Sequence, residues 1–338
     1  MRKVSNRKND AVLRKLGDDF VMPLLRALVN AKQHACQVHH TQAMSGLSKP
    51  QEAVLKAAFK IPVGKGKKKR SFGVRCNAVV KALTLAELQV LPNLYQHQVA
   101  SLQGGNYSLG LAVVPKSVVN LFKDVIYGEL MDDATLWTAL GVAVFSRAQF
   151  HNNFMDENDH PSTCPYCDLD TINSKGSRFV EHFLPKSKFP LLAVEAQNLF
   201  SACVACNGPS GKQFGWQPNV TSPYAKEIGE LVEFSFNDRA ETLGISAQQG
   251  LNDVDGYLRL LKLRARYSDK TVWKQFQRRR DAITESVGHR KPGSRDELLA
   301  YVESQQRAAV LTYAVRYWAD VTLAPALASA VATPAPNS

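Results

Sequence analysis

Two cysteine pairs at the same short spacing constrain this chain more than any other feature. Cys164 and Cys167 stand in "CPYC", and Cys203 and Cys206 stand in "CVAC", with 35 residues between the pairs. Four thiolates suit tetrahedral Zn2+, and a site closed by four protein sulfurs has no position left for a substrate, so the metal would be structural. Disulfides fit the pattern less well, because no secretory signal accompanies it. The opening "MRKVSNRKND" is basic, but no apolar core or small-residue cleavage site follows it. No apolar run approaches the ~20 residues that a membrane-spanning helix needs. We therefore expect a cytoplasmic protein without a membrane partner. Cys36 and Cys76 stand alone and carry no assigned role.

The stretch between the pairs is too polar for a plain zinc ribbon. Glu181 and His182 are adjacent, Asn198 follows after 15 residues, and Asn207 after 8 more. Lys186, Lys188 and Lys212 surround them. A lone histidine is commonly a surface or structural residue. A histidine with a carboxylate neighbour, two amides and three lysines, all spanned by a metal clamp, is a conjunction much less expected by chance.

In order, these residues resemble the HNH endonucleases, whose ββα-metal core is often clamped by two C-x-x-C knuckles. The matching segments are "CPYC", "EHFLPKS", "NLFSAC" and "CNGPSGK", within about residues 160–215. "EHFLPKSKFP" is further similar to a subgroup of bacterial anti-phage and restriction-type nucleases. By position, the resemblance implies His182 as the general base that activates water, a task suited to an imidazole titrating near neutrality. Glu181 would hold one divalent metal and Asn207 would be its second ligand. Asn198 would tie the loop and orient His182, and Lys212 would neutralise charge developing on phosphate. Glu181 departs from the family's usual aspartate, and the added methylene moves the carboxylate by about 1.5 Å. Oxygen ligands suit Mg2+ or Mn2+, while the cysteines take Zn2+.

The implied function is metal-dependent hydrolysis of DNA phosphodiesters in anti-phage defence, with RNA left open as a substrate. An ATPase or sensor protein is the implied partner. The alternative is a catalytically degenerate, zinc-stabilised nucleic-acid-binding module or partner-docking subunit.

Charge separates the halves of the chain. Residues 1–150 carry 21 Lys and Arg against 9 Asp and Glu, and the remainder carries 21 of each, so the whole net charge of +12 lies in the first part. Such a field attracts phosphate backbones. The loop "VGKGKKKR" places Lys67, Lys68, Lys69 and Arg70 together, either as a solvated run or as a contact to nucleic acid. Lys186 and Lys188 are further candidates for that contact.

Apolar spacing predicts helices over 8–35, 76–102, 117–152, 254–287 and 295–321. Alternation over 231–246 predicts a short hairpin. The polar, turn-rich 153–162 suggests a boundary. The expected architecture is α+β: a basic helical region 1–152 for nucleic-acid grip or partner docking, a zinc-clamped HNH domain 153–225, a helical region 226–322 and a disordered tail 323–338.

Overall fold

A computed structural model describes residues 1–290 except 2, 65, 67, 68, 144, 162, 173–175, 177 and 208–214, together with 297, 300, 301 and 304. Side chains at 178, 279, 283, 284 and 286–290 are not among them. Lys67, Lys68, Lys212, the expected tail and most of the helix expected over 295–321 lie outside the described residues. The described chain is mainly helical, with three two-stranded sheets. It divides into two compact units, each assembled from separate stretches. Residues 153–225 contribute to both.

The helical unit comprises Ser5–Asp159 and Val180–Ser201. Helix α1 (Arg7–Leu16) runs through a π turn, Gly17–Val21, into α2 (Met22–Gln33). Leu13, Leu16, Phe20, Leu24 and Leu28 recur every three or four residues and are all buried, the stripe a helix needs to cover a core. Helix α3 (Lys49–Lys60) begins at a capping box of Ser48 and Gln51. A two-stranded ribbon of β1 (Pro62–Val63) and β2 (Arg70–Ser71) leads into α4 (Phe72–Ala82). Phe72 then joins Phe20 and Phe59, with ring centroids 5.9 and 6.1 Å away.

The helix expected over 76–102 is two helices. The chain is extended at Leu83 and restarts at Thr84, whose capping box with Glu87 opens α5 (Leu85–Gln103). The region 117–152 is likewise broken. Helix α6 (Lys116–Asn120) passes into a π turn, Leu121–Ile126; α7 (Ala134–Ala139) is capped by Asp133, and α8 (Arg147–Glu157) by Ser146. Helix α8 also runs into the stretch read as turn-rich, because Phe154 and Met155 bury its last apolar turn. Asp159 and His160, with φ of 56° and 49°, then end it. Glu157 accepts hydrogen bonds from the backbone amides of Arg7 (2.8 Å) and Lys8 (3.0 Å), so a carboxylate caps the start of α1.

Strands β3 (Arg178–His182) and β4 (Leu199–Cys203) are hydrogen-bonded neighbours. Their residues 180–182 and 199–201, with the loop between, belong to this unit. Phe183 meets Tyr107 edge-on at 5.3 Å, and Phe200 lies 6.5 Å from Phe154. Glu195 is buried beside Tyr95, whose hydroxyl lies 3.5 Å from Oε2. Burial, with help from the charges of Asp10 and Asp18, raises its pKa from 4.5 to about 8.

The cysteine unit comprises Met1–Val4, His160–Phe179 and the chain from Ala202 onward. A short helix α9 (Val204–Asn207) carries Cys206. The hairpin expected near 231–246 is present as antiparallel β5 (Val232–Asn237) and β6 (Thr242–Ala247), in register Val232–Ala247 through Asn237–Thr242. Helices α10 (Asn252–Leu260), α11 (Leu263–Tyr267) and α12 (Lys270–Arg290) follow. Gly256 lies inside α10, where glycine costs about 1 kcal/mol relative to alanine. A Cβ there would collide with the Asn219 carbonyl, so the glycine permits the helix to lie against that loop.

Candidate functional site

The first knuckle is a tight turn. The Cys164 amide donates to the Asp170 carbonyl at 2.8 Å, and the Cys167 and Asp168 amides donate back to the Cys164 carbonyl. Asp168 closes the turn at φ 53°, a conformation that Asp tolerates better than most residues. The second knuckle joins the end of β4 to α9 and brings Cys203 and Cys206 to the same place. All four sulfurs are buried and lie within 4.8 Å of one another. Cys164 and Cys206 are 4.0 Å apart, and Cys167 and Cys203 are 3.8 Å apart. These separations exclude disulfides, whose sulfurs lie about 2.05 Å apart. A tetrahedral ion with Zn–S bonds of about 2.3 Å sets its sulfurs about 3.8 Å apart. The cluster can therefore hold a metal such as zinc.

Residues from far along the chain complete this centre. The Tyr267 hydroxyl donates to the Cys167 carbonyl at 2.8 Å, and the Tyr257 hydroxyl donates to the Tyr166 carbonyl at 2.6 Å. Arg266 donates from Nη1 to Cys206 Sγ at 3.2 Å and from Nη2 to Asp170 Oδ2 at 2.8 Å. The Cys203 amide donates to Cys164 Sγ at 3.3 Å. Burial opposes the charge of Arg266, but the sulfurs of Cys167 and Cys206 outweigh it and raise its pKa. Four thiolates around Zn2+ would leave two negative charges, and Arg266 is placed to offset one of them. Such outer partners hold ligands in position and tune their basicity.

In the helical unit, β3 ends at Glu181 and His182. His182 is 6% exposed, and its Nε2 lies 2.9 Å from the Ala193 carbonyl. A carbonyl only accepts, so Nε2 carries the proton and Nδ1 carries the lone pair of the neutral ring. Burial, reinforced by the charges of Lys186 and Arg147, lowers the imidazole pKa to about 3. The ring is therefore neutral across the neutral pH range.

Asn198 is fully buried and fixes the loop that follows. Its Oδ1 accepts from the Leu184 amide at 2.7 Å, and its Nδ2 lies 3.1 Å from both the Leu184 and the Leu192 carbonyls. Its own carbonyl accepts from the Phe183 amide at 2.9 Å. The Leu192 carbonyl, directly before His182's partner Ala193, is held in this way.

Of the remaining expected residues, Glu181 is half-buried and Lys188 exposed. Lys186 is half-buried, with Nζ 4.1 Å from the centroid of the Tyr127 ring. Burial lowers its pKa to about 8, against the pull of Glu181. Asn207 ends α9 in the cysteine unit and is half-buried. Lys69 and Arg70 are exposed.

Four residues near these groups were not singled out from sequence: Tyr127, Arg147, Asp170 and Arg266. Asp170 alone had a local signal, its position three residues after Cys167.

A stretch of 60 residues is 35% identical to Septu protein PtuB from Bacillus thuringiensis. It covers 18% of this chain and 23% of that protein, so the likeness spans about a quarter of the relative's length. No family model matches the chain, and no solved structure matches it. Among the described residues, no helix is long and apolar enough to cross a membrane.

Proposed function

We propose that the protein is a metal-dependent HNH-type nuclease that hydrolyses phosphodiester bonds, with DNA as the expected substrate. The observation that carries this reading is the state of His182. Its Nε2 is held by the Ala193 carbonyl, so its Nδ1 can take a proton. The Glu181 carboxylate is its chain neighbour, and the ammonium of Lys186 is close enough to depress its pKa.

On this reading, His182 Nδ1 removes the proton from the water that attacks phosphorus. Ala193 and the Asn198 network keep the ring from turning while it does so. Phosphate bound nearby would raise the proton affinity of a ring now flanked by cations. Glu181 offers hard oxygen ligands to Mg2+ or Mn2+, and such an ion would polarise the phosphate and stabilise the leaving oxygen. The four cysteines would hold a structural Zn2+, whose binding free energy is also folding free energy. The likeness to a Septu protein supports a role in anti-phage defence, with an ATPase or sensor protein as the kind of partner expected.

The test is incubation of supercoiled DNA, linear DNA and RNA with the full chain, with Mg2+ or with EDTA. His182→Ala should lose about 10²–10⁴-fold in cleavage rate and keep its zinc content. Near-normal cleavage by this variant refutes the role of His182. A zinc-stabilised binding module without turnover is the alternative, favoured by the strongly depressed imidazole; it predicts nucleic-acid binding with no cleavage under any of these conditions.

A further inference from the structure

Tyr127 lies outside the stretch that resembles the nuclease core, yet it organises the surroundings of His182. It follows directly on the π turn Leu121–Ile126, and its amide donates to the Phe122 carbonyl at 2.9 Å, five residues back. A π turn places one extra residue in the helix and turns the following side chain to a new face. The Tyr127 ring thereby meets the His182 ring edge-on, with centroids 4.4 Å apart and planes at 73°. Its hydroxyl lies 3.3 Å from the Val180 carbonyl, two residues before His182 on the same strand. Two cations gather on this buried ring: Lys186 Nζ at 4.1 Å from its centroid and Arg147 Cζ at 5.4 Å.

The two cations are held differently. Asp132 grips Arg147 through Nε at 2.7 Å and through Nη2, while the Arg147 amide donates to Asp132 Oδ1 at 3.0 Å. The guanidinium is thus fixed in orientation. Lys186 is not gripped in this way, and the Glu181 carboxylate acts on it only as a nearby opposite charge. It rests instead on an aromatic face, an arrangement that stabilises a cation and leaves ammonium protons available to an anion.

We propose that Lys186 and Arg147 form a seat for a backbone phosphodiester beside His182, and that Tyr127 is the positioning residue holding both cations and the imidazole in one arrangement. The seat deepens the nuclease reading and rests on it for the chemistry that follows binding. It explains why two cations stand beside a histidine whose neutral form they favour. Asp132 already offsets the charge of Arg147, so a phosphate on arrival offsets chiefly that of Lys186, and the base gains proton affinity only when substrate is in place.

The test measures binding of a short DNA duplex and of a single-stranded RNA by the full chain, without added divalent metal, at several salt concentrations. Lys186→Gln and Arg147→Gln should each weaken binding and flatten the log–log salt slope by about 0.9 on duplex DNA, or about 0.7 on the single strand. Arg147→Lys, which keeps the charge, should keep the slope. With Mg2+, both glutamine variants should raise KM, whereas Tyr127→Leu should also lower kcat, by about tenfold or more. Tyr127→Phe should recover most of that loss, because the ring face and edge contact remain. Unchanged salt slopes in both glutamine variants, on DNA and on RNA, overturn the seat. A Tyr127→Leu variant with wild-type kcat overturns the positioning role. If the wild-type chain binds but never cleaves, the nuclease reading fails and the slopes still decide the seat. If it binds neither nucleic acid, the seat fails too.

Discussion

Replacing Asn198 tests how the candidate base is held. Asn198 lies in a fully buried position, and its side chain serves three backbone groups: the Leu184 amide and the Leu184 and Leu192 carbonyls. Alanine would leave all three without their partner, and each buried polar group left unmade costs about 1–3 kcal/mol. The three share one loop and relax together, so a total of about 3–5 kcal/mol is expected rather than the full sum. Domain stability is about 5–15 kcal/mol, so the loss is large but survivable. It corresponds to a fall in melting temperature of about 10 °C, at about 2–4 °C per kcal/mol for a unit of this size.

Asn198→Asp makes a sharper test, because it changes one atom. One carboxylate oxygen still accepts from the Leu184 amide, but the other faces two carbonyls that only accept. The buried acid takes up a proton, so its folded pKa rises above the unfolded value of about 3.9. Its stability relative to wild type is then fully present below that unfolded value and is lost as pH rises through the folded one. Urea denaturation of wild type, Asn198→Ala and Asn198→Asp at pH 5, 6.5 and 8 reads this directly. The aspartate variant should lose ground against the alanine variant as pH rises, while the alanine variant tracks wild type at a constant offset. Parallel profiles for the two variants, or an alanine cost below about 1 kcal/mol, refute the hydrogen-bond account.

Freshly purified protein should carry about one tightly held Zn2+ per chain, and Cys164→Ser should lose it together with local stability; elemental analysis finding no zinc in soluble wild-type protein would end that assignment. Glu195 keeps its proton in the folded chain between pH 4.5 and about 8, so its contribution to stability is complete below 4.5 and is lost as pH rises toward 8, at up to about 1.4 kcal/mol per pH unit. Glu195→Gln should flatten that slope and be the more stable protein at pH 8, and equal pH slopes for the two proteins contradict the assignment. Replacing Lys67, Lys68, Lys69 and Arg70 with alanine should flatten the salt slope of DNA binding by roughly two to four units if the basic loop touches phosphates. An unchanged slope assigns the loop to solvent or to a protein partner.

What could be read from sequence tracks how local each signal was. The cysteine cluster was legible because knuckle spacing is set within four residues, and the hairpin because alternation is set within a strand. The break at Leu83 was written as Thr84-x-x-Glu87, but continuous apolar spacing on both sides masked it. The π turns at Gly17–Val21 and Leu121–Ile126 went unread, since apolar residues four apart, such as Leu16, Phe20 and Leu24, fit either an α or a π turn. Tyr127 reaches His182 across 55 positions and Arg266 reaches Cys206 across 60. No periodicity or spacing encodes such a meeting; only the packed fold brings these residues together.

The discontinuity of the helical unit has a consequence in time. Its core is not complete at Asp159: it needs Val180–Ser201, which bring Phe183 to Tyr107 and Phe200 to Phe154. Between those two stretches the ribosome must first deliver twenty residues that belong to the other unit. At about 5–20 residues per second, the helices wait several seconds for their last aromatic side chains. During synthesis that open face of Tyr107, Phe150 and Phe154 is what a chaperone would bind. Shortening the wait, by faster codons across 160–201, should raise the soluble yield without altering a single residue.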